Sequence, residues 1–442
     1  MKFDFSSENF QILDSTLRDG SYVVDFQFTA ADTENLTKAL DALGIPFIEV
    51  GHGVGINAST TKGRAACSDI EYVQAARRGA QNAGVGMFCI PGIARLDDMR
   101  ACVDAGLQFI RIGVNVDDVE LTKPFIQLAK KLGLQVCSNF MKSYAMAPEK
   151  FAKVVKTSTD FGSDLIYLVD SAGGMLPDEV REYVETMRSA TELPIGFHGH
   201  NNLNLAVANS LTALQSGASL VDTTLFGFGR CSGNAPTEIM IILMQRCLGV
   251  CHQLNPILFM DLAERTILPI LRNRQDGTDR IALGFAQVHS MYSEKIRQRA
   301  DGKNKLFLSV IQEVGKLDRL KLPDEILDQA VEKALHKDAL TRFLDPKSLI
   351  EPLNETSSLE DIARVAVKTN IPINVYARSD RLKRKVTPRK SSLDVECSPK
   401  EALKLFKQQD TAKKNLFLDS HLTSLDNPLC RRLKTYQTKK LP

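Results

Sequence analysis

Eight short apolar runs, each followed by a longer segment, mark out the first 230 residues, and this rhythm leaves few folds open. The runs are Phe10–Leu17, Pro46–Gly51, Val85–Ile90, Phe109–Asn115, Leu134–Met141, Leu165–Ser171, Ile195–His200 and Leu220–Phe226. They are rich in Val, Ile and Phe, and most lack the polar alternation of a half-exposed sheet. Strands buried on both faces have this pattern. The segments between them, such as Ala31–Leu43 and Asn204–Ser216, space their apolar residues three and four apart, as a helix does. Gly44, Gly84, Gly106, Gly133, Gly162 and Gly217 read as helix-ending glycines before the next strand. Strands alternating with helices are parallel and joined by right-handed crossovers. Eight is the number that closes a (β/α)8 TIM barrel, an α/β fold. An open doubly wound sheet is the alternative.

The rhythm stops after Phe226. Thr237–Gly249, Pro256–Asn273, Ala282–Ala300, Lys305–Lys316 and Pro323–His336 read as helices. Beyond Lys337 the pattern is sparse: Ser358–Val367 reads as a helix and Ile371–Tyr376 as one short strand. Arg378–Lys390 is a basic run containing proline, and the polar chain beyond it reads as a solvated, weakly structured basic tail. The expected organisation is a catalytic barrel over 1–250, a helical C-terminal region over 251–337 and a small added module over 338–442.

Composition excludes several roles. A net charge of +3 on 442 residues is too small to argue for a nucleic-acid partner or a membrane surface. No apolar run approaches the ~18 residues of a membrane span. Met1–Phe10 does not read as a signal peptide. The nine cysteines form no framework spacing, and most lie in apolar runs. Free, buried thiols in a cytoplasmic protein are the expectation.

In such a barrel the chemistry stands at the C-terminal ends of the strands. The seventh run ends His198–Gly199–His200. Alternate strand residues point the same way, so two imidazoles aim at one place. Neutral imidazoles so placed chelate a divalent metal. A third, anionic ligand is needed, and Asp19 stands just past the first run, one strand away from the seventh across the eighth. Two His and one carboxylate leave positions open for substrate, which suits Mn²⁺, Mg²⁺, Co²⁺ or catalytic Zn²⁺. Beside Asp19 stands Arg18, whose guanidinium can hold a carboxylate in two hydrogen bonds or stabilise an enolate oxygen. Metal plus arginine suits a small 2-oxo acid.

The segments LDSTLRDG (Leu13–Gly20), IEVGHG (Ile48–Gly53), DSAGGM (Asp170–Met175), FHGHNNLNLAVANSL (Phe197–Leu211) and GNAPTE (Gly233–Glu238) resemble the HMG-CoA lyase-like superfamily of metal-dependent barrels. Within it they resemble the 4-hydroxy-2-oxovalerate aldolases, as does LGFAQVHS (Leu283–Ser290). The resemblance spans about residues 10 to 337. It implies that Asp19, His198 and His200 bind a divalent metal, Mn²⁺ first among the choices. It implies that Arg18 stabilises a pyruvate enolate, that Ser171 contacts the pyruvate part and that Asn234 lies at the metal. It implies cleavage of a 4-hydroxy-2-oxo acid to pyruvate and an aldehyde, paired barrels, and an acylating aldehyde dehydrogenase partner on the helical region.

Two positions depart from the resemblance. Tyr22 stands where the aldolases carry a histidine taken as the general base, and His289 stands where they carry a tyrosine of the aldehyde pocket. A phenol is a poor base at neutral pH. The expectation is an exchange of roles, with His289 or His52 as base and Tyr22 orienting the substrate hydroxyl. Cys231, in the glycine-rich loop GFGRCSGN, invites comparison with the loop cysteine of HMG-CoA lyases, although its surroundings differ. Two other readings stay open at this point: a Claisen-type enzyme acting on an acyl-CoA, and a metal-binding scaffold without turnover.

Overall fold

The computed structural model describes residues 10–271, 278–300, 304–340, 373–378, 392–397 and 415–420. Eight parallel strands close into a barrel in sequence order: β1 Gln11–Asp14, β2 Phe47–Glu49, β3 Gly84–Cys89, β4 Phe109–Asn115, β5 Gln135–Met141, β6 Leu165–Asp170, β7 Ile195–Gly199 and β8 Leu220–Thr223. Closure is made by β1 against β8, with Gln11 opposite Leu220 and Asp14 opposite Thr223. The open sheet is thereby excluded. Each strand is buried almost throughout, which explains why the runs read as continuously apolar.

Period-two alternation sorts the strand residues into two cores. Leu13, Phe47, Phe109, Cys137, Leu165 and Leu220 belong to the small cluster that fills the barrel. Their strand neighbours join the larger cluster beneath the outer helices. Two strand positions further on, in the next layer, the interior becomes charged: Glu49 follows Phe47, Arg111 follows Phe109 and Asp222 follows Leu220. That layer underlies the functional site.

The outer helices are set by local signals. Thr29 caps Ala30–Ala42 and forms a reciprocal capping box with Asp32; Ser68 and Glu71 do the same for Asp69–Gly79. Gly44, Gly106, Gly133, Gly162 and Gly217 all adopt positive φ after their helices, as expected. Gly84 does not end a helix; it opens β3.

The helical region is more broken than its periodicity suggests. The helix from Thr237 ends at Leu243 and continues as one π turn, Met244–Leu248. The next runs Pro256–Thr266, with a short helix Leu268–Leu271 after it. Ala282–Ala300 is not one helix. Thr278–Ala286 stops where Gln287 takes a positive φ of 51°, a short turn Ser290–Tyr292 follows, and a new helix runs Ser293–Arg299. His289 sits in the break, where its side chain caps the turn by accepting the Met291 N–H. Helices Asn304–Leu317 and Asp324–Leu340 pack with these pieces around Phe307, Val310, Val314 and Leu327.

Met1–Leu335 and His336–Pro442 form two compact units. In the second, the expected short strand is β9, Ile373–Arg378, and it pairs antiparallel with β10, Ser392–Cys397, and β11, Asn415–Ser420. β10 and β11 were not read from the sequence as strands. SLDVEC alternates apolar and polar residues, the period-two pattern of a strand. The helix read at Ser358–Val367 and most of the basic run lie outside the described residues.

Among the described residues no helix is long and apolar enough to cross a membrane. Cys67, Cys89, Cys102, Cys137, Cys231, Cys247 and Cys251 are free; Cys89, Cys102, Cys137 and Cys251 are buried, whereas Cys247 is exposed.

Candidate active site

The ends of β1, β6 and β7 and the loop after β8 converge on one cavity of about 790 Å³. Arg18, Tyr22, Ser171, His198, His200, Arg230, Cys231 and His289 line it. Asp19 lies just behind. Its Oδ2 stands 3.4 Å from His198 Nε2 and 3.9 Å from His200 Nε2. One ligand atom from each of the three residues falls within 4.8 Å of the others, and all three residues are buried. The Asn234 amide donates to Asp19 Oδ2 at 3.3 Å, while its own Oδ1 is buried with no partner among the described residues. A carboxylate and two imidazoles around one point are a fitting donor set for a divalent cation.

The electrostatics suit that role. Burial alone would push the Asp19 carboxyl up, but Arg18, His200 and His198 together hold it well below the usual carboxylate range. Burial, with the positive charge of Arg230, keeps the His200 imidazole neutral. His198 is also desolvated, yet hydrogen bonds to Asp19 and Asp222 raise its affinity for a proton. His198 Nδ1 meets Asp222 at 2.7 Å, which fixes the ring and turns Nε2 toward Asp19.

Glu49, Arg111 and Asp222 support this set, and none of them was singled out from the sequence. Arg18 Nε donates to Glu49 at 2.7 Å, and Arg111 Nη1 donates to the same Glu49 oxygen at 2.7 Å. Arg111 Nη2 donates to Asp222 at 2.5 Å, and Tyr167 donates to the other Asp222 oxygen at 2.7 Å. A buried chain of alternating charge therefore runs from Arg18 through Glu49, Arg111 and Asp222 to His198. The sequence signal was a single charged residue in each of three apolar strands. Buried charges need partners, so three of them inside one barrel point to each other.

The turn after β6 is shaped for close approach. Asp170 accepts the Gly174 and Met175 N–H groups, and burial outweighs these bonds to raise its pKa to about 6. Gly173 has a φ of +61°, and a Cβ there would fall 2.6 Å from the His200 carbonyl oxygen and the Asn202 nitrogen. Ser171 Oγ accepts the Lys142 backbone N–H at 3.0 Å, which leaves its own hydrogen for a ligand.

The histidines outside β7 differ. His52 has both ring nitrogens engaged, Nδ1 with the Val54 N–H at 3.1 Å and Nε2 with the Gly63 carbonyl at 3.0 Å. It stacks on Phe26 and is fully buried. It holds the β2 loop and has no free nitrogen to act as a base. His289 Nδ1 accepts the Met291 N–H at 3.0 Å, and Nε2 lies in the cavity, 3.1 Å from Arg230 Nη1. Burial, Arg230 and Lys142 keep this ring neutral. Tyr22 is half-buried, and burial pushes its phenol further up. Its ring lies 5.6 Å beneath the Arg230 guanidinium. Cys231 holds a positive φ of 59°, and its Sγ lies 3.7 Å from Asn202 Nδ2.

Residues 9–265 match the family model described as HMGL-like. The chain belongs to the HMGL-like family. An oxaloacetate decarboxylase of Mycobacterium tuberculosis is 39% identical over 69% of this chain and 90% of its own length. The 4-hydroxy-2-oxovalerate aldolase 2 of Rhodococcus jostii is 35% identical over 74% of this chain and 96% of its own. The carboxyl transferase domain of Rhizobium etli pyruvate carboxylase shares the fold, with a TM-score of 0.61 at 15% identity over 82% of this chain and 65% of that one. Both relatives' names denote carbon–carbon bond cleavage, and this HMGL-like chain is a carbon–carbon lyase.

Proposed function

We propose that the enzyme cleaves, or forms, the C3–C4 bond of a 4-hydroxy-2-oxo acid, giving pyruvate and an aldehyde through the pyruvate enolate. The observation that carries this is the donor set Asp19–His198–His200 beside Arg18 in one cavity. A divalent ion held by those three residues, with Asn234 as a fourth donor, supplies a Lewis acid for the carboxylate and carbonyl oxygens of the 2-oxo acid. Mn²⁺ suits this mixed nitrogen and oxygen set, and Mg²⁺, Co²⁺ and Zn²⁺ are the alternatives. Arg18, fixed by Glu49 and Asp19, offers its guanidinium to the negative charge that develops on the enolate oxygen. Ser171 donates to the pyruvate carboxylate. Tyr22 orients the 4-hydroxyl and His289 Nε2 takes its proton.

That last step has a cost. For Nε2 to accept, the ring hydrogen must sit on Nδ1, and the Met291 contact must loosen. Decarboxylation of a 3-carboxy-2-oxo acid such as oxaloacetate reaches the same enolate with no hydroxyl to deprotonate. The arrangement at His289 and the M. tuberculosis relative favour this as a second reading. The Claisen and scaffold readings find no such support.

The test is coupled pyruvate release. Metal-stripped protein is expected to be inactive and to recover with Mn²⁺, on 4-hydroxy-2-oxo acids, on oxaloacetate or on both. Release that persists in excess chelator, or no release from any of these substrates, would reject the proposal. His289→Ala separates the two readings. It should lower aldol cleavage by about 10²–10⁴-fold, the usual worth of a general base, while sparing decarboxylation and metal affinity. Unchanged aldol turnover in that variant would remove His289 from the role.

The docking of an acylating aldehyde dehydrogenase and the pairing of barrels belong to the same proposal. Exposed Ile281 and Phe285, one turn apart on Thr278–Ala286, are apolar surface suited to a partner. The free thiols suit a reducing cytoplasm.

A further inference from the structure

Arg230 and Lys142 are the two cations of the cavity wall that face His289. Arg18 and Arg111, deeper in the same cavity, each meet a carboxylate. For Arg230 and Lys142 the described residues provide none within ion-pairing distance. The Arg230 guanidinium stands 2.9 Å from His200 Nε2 and beside both nitrogens of His289, and its other neighbour is the Tyr22 ring. Lys142 Nζ donates to the Tyr292 hydroxyl at 3.0 Å and to the Leu320 carbonyl at 2.5 Å, both uncharged. Lys142 is only 2% exposed and holds a left-handed backbone, φ +61°, at the end of β5. Asp117 and Asp318 influence it from a distance, but Asp117 is paired with Lys321, and Asp318 accepts the Leu320 and Lys321 N–H groups. No Asp or Glu is among the described residues that line the cavity, whereas Lys62 adds a further positive charge at its wall.

A buried cation without a counter-ion is costly, and Lys142 is one; with the half-buried Arg230 in the same wall, the cavity is built for an anion. With the pyruvate carboxylate given to Arg18 and Ser171, as proposed above, Arg230 and Lys142 are left for a second anion. In addition, His200 Nε2 is a candidate metal ligand, and a nitrogen so engaged has no lone pair left for Arg230. We infer that Arg230 and Lys142 form a distal anion subsite, so that the preferred substrate is a dianion: a 2-oxo acid whose far end carries a second carboxylate or another acidic group. The inference rests on the 2-oxo acid reading above and narrows it. It covers both reactions, since the second acidic group belongs to the aldehyde fragment in one and leaves as carbon dioxide in the other.

Two unreactive five-carbon probes isolate the subsite. 2-Oxoglutarate ends in a carboxylate where 2-oxovalerate ends in a methyl group. Calorimetric titration of the full-length Mn²⁺-loaded protein should show 2-oxoglutarate binding about 10- to 100-fold more tightly, the worth of charge-assisted hydrogen bonds. Arg230→Met and Lys142→Met should each shrink that ratio, with 2-oxovalerate affinity much less affected. Arg230→Lys, which keeps the charge, should retain part of it. Equal affinity for the two probes in the unmodified protein would overturn the inference without any variant, so a Lys142 variant that misfolds does not protect it. A ratio that survives intact in folded Arg230→Met would also overturn it. If neither probe binds, the 2-oxo acid reading fails and takes the subsite with it. If 2-oxovalerate binds as well as 2-oxoglutarate, that reading stands and the subsite alone is rejected.

Discussion

Asp19→Asn is expected to leave a folded barrel that has lost its metal and its turnover together. The substitution keeps the volume of a fully buried side chain and removes only its charge. Arg18 keeps its 2.7 Å bond to Glu49, so the neighbouring guanidinium stays in place. The site loses the one anionic donor that the described residues offer at the point where His198 Nε2, His200 Nε2 and the Asn234 amide meet. Loss of a residue that merely orients a ligand costs about 10–100-fold in metal affinity or activity. Loss of the charged ligand itself should cost more. Asp222→Asn provides the internal comparison, because Asp222 orients His198 without standing at the metal position. Mn²⁺ titration of the two variants should therefore rank Asp19→Asn well below Asp222→Asn, with circular dichroism and melting close to the parent for Asp19→Asn. An Asp19→Asn protein that binds Mn²⁺ with parental affinity would place the metal elsewhere and dismantle the proposed site.

His198, Gly199 and His200 were legible because a strand's period of two is built into the chain, whatever surrounds it. Asp19 was legible because barrel closure puts β1 next to β8, and closure followed from counting strands. The charged layer was not. Glu49, Arg111 and Asp222 lie on different strands, and only the registers of the closed barrel bring Arg111 within reach of both acids. One sequence does not contain those registers in readable form. His289 shows a different limit. Periodicity carried the helix through Ala282–Ala300, yet the chain breaks at Gln287, a residue with no turn preference of its own. Packing imposes the break: a Cβ on Gly315 would lie 2.2 Å from the Ala286 carbonyl oxygen, so the helix Asn304–Leu317 abuts the end of Thr278–Ala286. Without that break His289 would not reach Arg230. Lys142 was missed for a similar reason, since a lysine after a strand reads as solvated until Tyr292 and Leu320 close over it.

The buried layer makes a second large effect expected, this time on stability. Arg111→Met removes a guanidinium with no solvent exposure from between Glu49 and Asp222. Methionine fills much of the volume, so the main loss is charge. Breaking a buried pair from one side costs roughly 3–5 kcal/mol, because the partners remain buried and uncompensated. Two carboxylates share Arg111, which places this variant toward the upper end. Glu49 keeps Arg18, and Asp222 keeps Tyr167 and His198, so the barrel should still fold. The pH dependence gives the cause its signature. Burial pushes the Asp222 carboxyl up, but Arg111 and then His198 hold it below its usual value. A depressed carboxylate contributes stability above its unfolded pKa of ~3.9 and loses it as pH falls through the folded value. Without Arg111 the Asp222 pKa rises, so protonation relieves the variant at a pH where the parent is still paired. The difference in urea midpoint should thus be large at pH 7.5 and narrow toward pH 5. A gap that stays constant across that range would assign the loss to packing around the methionine, and the alternating chain of charge would no longer account for what holds His198 in place.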